Sequence, residues 1–370
     1  MNDFHFMKLA IELAKTTQGQ TSPNPVVGAV VVKDGAIVGM GAHLKAGEAH
    51  AEVHALGMAG ERATGATLYV TLEPCAHYGK TPPCAHLVVE KEVKRVVIAS
   101  TDPNPLVAGK GIAIMKEAGV EVVVGVLEQE ATALNQSFFH FIDTKLPFVT
   151  LKTATSLDGK TATYTGESKW ITSEQARLDV HELRHQHDAI LVGVNTVNID
   201  NPSLTTRLPN GGKNPIRVIL DTHLRIDEKS TILHDGQAPT WIIVGQPAQS
   251  KKIEAITNEF VRIIKLPTKQ LLLKDVLHAL GERGITSLFV EGGSTIHGAF
   301  LKEKLFNQVI TYIAPKLIGG REAPTSFGGK GIASMNDIVN VEIKSVEQLG
   351  QDLKIVAVPK EGEMNVYGDY

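Results

Sequence analysis

The tightest constraint on this fold is a trio of side chains, His50, Cys75 and Cys84, which is useful only if two successive strand–helix units bring the three together. His50 opens a His-Ala-Glu triplet, and each cysteine follows a proline, in Glu73-Pro74-Cys75 and Pro82-Pro83-Cys84. One imidazole and two thiolates give zinc three protein ligands and leave a fourth position for water, as in catalytic and not structural sites. Zinc lowers the pKa of such a water towards neutrality. Glu52, near a helix start that the pattern predicts, can face the same water without binding the metal and pass its proton to a departing amine. Hydrolytic deamination is the chemistry such a pattern serves. Each part alone has a bland reading, since His-x-Glu is common by chance and buried cysteines are commonly inert. Joined in this order, they predict one zinc ion per chain.

Eight residues separate the two cysteines, where the usual deaminase pattern has two. His77 lies inside that longer loop and is the competing ligand; Cys84 is preferred because a helix N-terminus favours a thiolate. The chain has no other cysteine, which argues for ligands and a reducing compartment over a disulfide. Its start reads as an amphipathic helix and not a signal peptide, and no run of about 18 apolar residues occurs, so a cytoplasmic protein without membrane contact is expected. The first 145 residues are slightly acidic and the rest are balanced, which argues against a nucleic-acid partner.

At 370 residues the chain is expected to form two domains, 1–145 and 146–370, parted at Thr144-Lys145-Leu146-Pro147. In the first, helical spacing over 5–17 precedes a hairpin, with strands 26–32 and 36–40 around Asp34-Gly35. Helices over 50–58, 84–91, 111–118 and 134–142 alternate with strands over 67–72, 95–99 and 120–124. That alternation predicts a three-layer α/β fold. A second alternation follows, with strands at 148–153, 189–194, 216–221, 240–244 and 287–290, helices at 172–184, 271–282 and 294–302, and a last strand at 309–318. Within it, Val290-Glu291-Gly292-Gly293-Ser294-Thr295 leaves an apolar strand and opens a helix. Read alone, this is either a phosphate-binding turn or an ordinary strand–helix connection.

These residues together resemble the bifunctional deaminase/reductase family of riboflavin biosynthesis. The likeness rests on His50-Ala51-Glu52, on Thr71 to Cys84 with its long inter-cysteine loop, on Ser22-Pro23-Asn24-Pro25-Val26-Val27-Gly28 and on Asp102-Pro103-Asn104-Pro105. It continues through Leu151-Lys152, Ser156-Leu157-Asp158-Gly159-Lys160, Trp170-Ile171-Thr172 and Val290-Glu291-Gly292-Gly293. The resemblance implies a cytidine-deaminase-like domain followed by a dihydrofolate-reductase-like one. The first would remove the 2-amino group of a diaminopyrimidinone ribosylamine 5′-phosphate, and the second would use NADPH to reduce ribosyl to ribityl.

By the same resemblance, Asn24, His43, His77 and Lys80 would hold the deaminase substrate. NADPH would meet Ala154, Trp170, Thr196, Asp200, Thr222 and the turn Gly293, Ser294, Thr295, Ile296, His297, Gly298, Ala299. The reductase substrate would meet Lys152, Ser168, Arg184, Leu204, Arg207 and Glu291, the two arginines suiting a 5′-phosphate. Lys152 stands as a proton donor or a polar anchor, and without the likeness Trp170 would be read as core. A homo-oligomer acting on a small phosphorylated pyrimidine is expected. The rivals are a tRNA adenosine deaminase with an accessory domain and a binding module with structural zinc.

Overall fold

The computed structural model describes residues 2–76, 83–104, 108–246, 248 and 250–364, so His77 and Lys80 lie outside the described residues. The chain divides into two compact units, 1–143 and 144–370.

In the first unit, Asn2 caps helix α1 (Asp3–Lys15) by accepting from the His5 amide, and Phe6, Met7, Ala10, Ile11 and Ala14 form its buried face. Strands β1 (Gly28–Lys33) and β2 (Ala36–Ala42) pair antiparallel, with Lys33 opposite Ala36. Asp34 and Gly35 have φ of 50° and 78°, the left-handed pair that a two-residue hairpin of this twist demands. Next come α2 (Ala51–Ala59), β3 (Thr67–Leu72), α3 (Cys84–Glu90), β4 (Arg95–Ser100), α4 (Lys110–Glu117) and β5 (Glu121–Val124). The expected closing helix over 134–142 is instead two, α5 (Glu128–Leu134) and α6 (Gln136–Thr144), parted at Asn135, which is occupied elsewhere: its side chain exchanges two 2.9 Å hydrogen bonds with the Val26 backbone.

The sheet runs β2-β1-β3-β4-β5, with β3, β4 and β5 parallel. One face packs on α2, α3 and α4 through Ala55, Leu56, Ala85, Val88 and Met115; the other packs on α1 and α5. These are the three expected layers.

The second unit holds a nine-stranded sheet. It comprises β6 (Phe148–Ser156), β7 (Ala189–Gly193), β8 (Ile216–Leu220), β9 (Thr240–Val244), β10 (Val261–Lys265), β11 (Ser287–Val290), β12 (Gln308–Ala314), β13 (Val341–Leu349) and β14 (Asp352–Pro359). Their order is β10-β9-β8-β7-β11-β6-β12-β14-β13, parallel as far as β12. Helices α7 (Glu174–Gln186), α8 (Val194–Asp200), α9 (Ser250–Ile256), α10 (Leu273–Gly281) and α11 (Ser294–Glu303) cover its two faces.

The strand expected to run on to 318 stops at Ala314, because Pro315 has no amide to continue the ladder. It is not the last strand either, since the β14–β13 hairpin extends the sheet. After β6, the chain adds β7 to β10 on one side, then returns to insert β11 between β7 and β6. A parallel sheet opens a ligand crevice at the carboxyl ends of its strands where the winding reverses.

Candidate active sites

His50 is the N-cap of α2, so Glu52 falls in the first turn and both side chains leave the same helix end. Cys75 follows β3 and Cys84 opens α3, whose Cys84 amide donates to Cys75 Sγ at 3.3 Å. His50 Nδ1 lies 3.6 Å from Cys75 Sγ and 3.3 Å from Cys84 Sγ, and the three ligand atoms lie within 4.8 Å of one another. Tetrahedral zinc, with Zn–N about 2.0 Å and Zn–S about 2.3 Å, places such atoms roughly 3.5 Å apart. The donor set and its spacing therefore fit the ion.

The hydrogen bond from Cys84, with one from His50, holds the Cys75 thiol down to about 4. That same pairing, with burial, pushes Cys84 up, so the two sulfurs share a proton that a dication would displace. Glu52 is 3% exposed, and burial pushes its carboxyl up to about 7 against the pull of His50.

His50, Glu52 and Cys75 line a cavity of about 410 Å³, together with Asn24, His43, Glu48, Asp102, Asn104 and Phe138. His43 bonds Asn24 at 3.1 Å and the Ala49 carbonyl at 3.1 Å, and its ring meets that of His50 edge-on at 5.3 Å.

Glu73, 3% exposed, was legible only as part of a motif, yet it organises the cavity rim. Its carboxylate accepts from the amides of Gly109 at 3.0 Å and Ile112 at 3.2 Å, capping α4. The helix then sits so close that a Cβ on Gly111 would come within 2.0 Å of the Pro74 carbonyl oxygen, beside Cys75. Asp102 and Asn104 carry a sequence signal only through the family resemblance, and Phe138 carries none beyond an apolar place in a helix.

In the second unit the expected residues gather at the carboxyl ends of the parallel strands: Ala154 on β6, Thr196 and Asp200 on α8 after β7, Thr222 after β8, Glu291 and Gly293 after β11. Glu291 accepts from Arg184 Nε at 2.6 Å and Nη2 at 3.1 Å, and pairs with Lys152 Nζ at 3.6 Å. Burial alone would raise the Glu291 pKa, but Arg184 and Lys152 outweigh it and hold the carboxyl at about 2. Arg184 also donates to the Thr205 carbonyl at 3.0 Å. Burial, then the charges of Arg184 and the exposed Arg207, lowers His181 to about 4. Leu204 is buried with a φ of 53°, and Ser168 is exposed.

Trp170 is 63% exposed, with the Arg177 guanidinium 4.5 Å over its ring, so the core reading of it does not apply.

Gly293 caps α11, and Ser294 and Thr295 form its first turn. Ile296 and His297 turn inwards: a Cβ on Gly193 would meet Ile296 at 3.3 Å, and the buried His297 bonds the Val290 carbonyl at 3.2 Å. Gly298 permits a close approach to Gly328, whose carbonyl oxygen would lie 2.1 Å from a Cβ there, and Ala299 is half-buried.

Comparison with known proteins matches both halves. Residues 1–100 match the cytidine and deoxycytidylate deaminase zinc-binding region, and residues 147–355 match the RibD C-terminal domain. The riboflavin biosynthesis protein RibD of Bacillus amyloliquefaciens is 55% identical over 359 residues, covering 97% of each chain. That of Escherichia coli strain K12 is 41% identical and covers 95% of this chain and 98% of its own. The solved structure of Acinetobacter baumannii RibD superposes with a TM-score of 0.87 at 42% identity, covering 97% of this chain and 99% of that one. A Thermotoga maritima structure described as a diaminohydroxyphosphoribosylaminopyrimidine deaminase/5-amino-6-(5-phosphoribosylamino)uracil reductase follows at 0.86 and 38% identity. The accessory-domain rival does not survive a match that runs through the second half. A metal-binding cavity in one unit and a switch-point crevice in the other, matched over nearly their whole length, make this chain a member of the bifunctional riboflavin-biosynthesis deaminase/reductase family, joining a zinc-dependent deaminase to an NADPH-dependent reductase.

Proposed function

We propose that residues 1–145 hydrolyse the 2-amino group from a diaminopyrimidinone ribosylamine 5′-phosphate, and that residues 146–370 reduce the ribosyl chain of the product to ribityl. The observation carrying this reading is the convergence of His50, Cys75 and Cys84 beside the buried Glu52, at a cavity that His50, Glu52 and Cys75 line. His50, Cys75 and Cys84 would hold the zinc ion, which when bound would lower the pKa of a water. Glu52 takes the proton from that water and returns it to the leaving amine, while Asn24 holds the ring. A cavity of about 410 Å³ suits a single pyrimidine nucleotide.

In the second unit NADPH supplies the hydride. Glu291 fixes Lys152 and Arg184 towards the sugar, and Arg184 with Arg207 reads the phosphate. Thr196, Thr222 and the Gly293 turn hold the cofactor, with Ser294 and Thr295 at the positive end of α11. The two thiols suit work in a reducing cytoplasm; no helix among the described residues is long and apolar enough to cross a membrane.

Incubating the full chain with the diaminopyrimidinone phosphate should give a deaminated product without NADPH and a reduced one only with it. Mass analysis decides this, and reduction without prior deamination, or no turnover at all, sinks the reading.

Self-association is part of the proposal. Strand β13 ends the nine-stranded sheet and exposes Val341, Ile343 and Val346 at 43%, 58% and 57%. An edge strand that exposes apolar residues between its charges can pair with a second copy. Light scattering should find an oligomer that Ile343→Lys with Val346→Lys reduces to a monomer. A monomeric wild type, or an oligomer indifferent to both charges, removes this surface.

A further inference from the structure

The hydrogen bonds around His43 have a direction, and it reaches the cavity. The ring is 2% exposed, with Nδ1 3.1 Å from the Ala49 carbonyl oxygen and Nε2 3.1 Å from Asn24 Nδ2. A carbonyl oxygen only accepts, so the ring proton sits on Nδ1. Asn24 Nδ2 can only donate, so Nε2 meets it as a bare lone pair. That lone pair must meet the amino end of the Asn24 amide. The opposite amide orientation would set oxygen against a lone pair and strand a buried acceptor, which costs more than a typical hydrogen bond contributes. Asn24 lines the cavity, and among the described residues its Oδ1 accepts no hydrogen bond.

We propose that His43 is a positioning residue: both its ring nitrogens are used within the protein, and it acts by holding Asn24 with Oδ1 presented to the cavity as a hydrogen-bond acceptor. This rests on the deaminase reading above and sharpens its substrate class. A pyrimidine bound there must offer an N–H, from the ring or from an exocyclic amine, towards Asn24. A ring with a bare nitrogen at that place meets oxygen with a lone pair and is rejected. The 2-aminopyrimidin-4-one skeleton carries such donors. His43 thus acts on substrate through Asn24, where the family resemblance implies a direct contact.

Two measurements on the full zinc-loaded chain test this. The first locates the ring proton of His43 by nitrogen-15 NMR, assigned by its loss in His43→Asn; a proton on Nε2 overturns the proposal. The second is a cycle of His43→Asn, Asn24→Ala and the pair, read as deaminase kcat and KM with zinc content alongside. His43→Asn keeps a donor for Ala49 and loses the acceptor for Asn24. It should lower kcat/KM roughly tenfold, chiefly through KM, as loss of one hydrogen bond does. In the Asn24→Ala background it should cost nothing further. His43→Gln, whose carbonyl can still accept from Asn24, should recover most of the loss. Full zinc in every variant belongs to the expected result. Independent losses in the cycle, no advantage of Gln over Asn, or loss of zinc in His43→Asn would each overturn the role. If the wild-type chain deaminates no pyrimidine, the substrate reading fails, while the ring-proton measurement still decides the hydrogen-bond direction.

Discussion

Glu52→Gln is expected to keep its zinc, lose deaminase turnover by roughly 10²–10⁴ and retain NADPH-dependent reduction of supplied deaminated intermediate. Removing an aromatic amine by water takes two proton transfers in opposite senses, one from the attacking water and one to the leaving nitrogen. A single carboxyl that reaches both atoms can serve both steps if its pKa lies near the working pH. Burial moves Glu52 towards that condition: it is 3% exposed, and its carboxyl is lifted to about 7. Glutamine matches the shape and still accepts a hydrogen bond, but it cannot carry a proton. Zinc content and both activities should be measured on one preparation. Cys84→Ser belongs in the same series, where it should lose most of the metal while His77→Ala keeps it. Loss of zinc in Glu52→Gln makes the residue a support for the metal, and near-normal deamination takes it out of the reaction.

The zinc trio was legible from the sequence because its ligands are close along the chain and their residue types are chemically restrictive. Strands buried on both faces were legible for a different reason. Thr67–Leu72, Thr240–Val244 and Ser287–Val290 are expected and found with the same ends, since a parallel strand covered on both sides reads as an unbroken apolar run. Helix α8 went unread because it continues from β7 without a break, at Gly193-Val194. Strand β13 hid behind its charges: Glu342, Lys344 and Glu347 interrupt the apolar residues of an exposed edge. Nothing local marks Glu291 as the centre of an ion triad, for its partner Arg184 lies 107 residues away and only the sheet order unites them. Trp170 shows how composition misleads: a large aromatic side chain suggests core, and here Arg177 covers it at the surface.

That triad carries the second large effect. Glu291 is flanked by Arg184 and Lys152, whose side chains are 11% and 16% exposed, so the carboxylate is the charge that lets two cations sit side by side away from water. Removing one partner of a buried pair typically costs about 3–5 kcal/mol, because the charge left behind has lost both water and its counter-ion. Glu291→Gln should therefore destabilise the second unit and lower reductase kcat/KM by roughly a hundredfold or more, since misplacing the groups that orient the sugar costs about that much. Deamination and zinc content should stay as they were. The pH dependence identifies the cause. The folded carboxyl titrates at about 2 and the unfolded one at its ordinary 4.5, so the stabilisation is present in full above the unfolded value and is lost as pH falls towards 2. Thermal unfolding of wild type and Glu291→Gln from pH 7 downwards should show a constant gap to about pH 5, narrowing steadily below it. A gap that holds its width into strong acid would mean that shape, and not charge, is what Glu291 contributes. Unchanged reduction in a folded variant would take the triad out of the reductase site altogether.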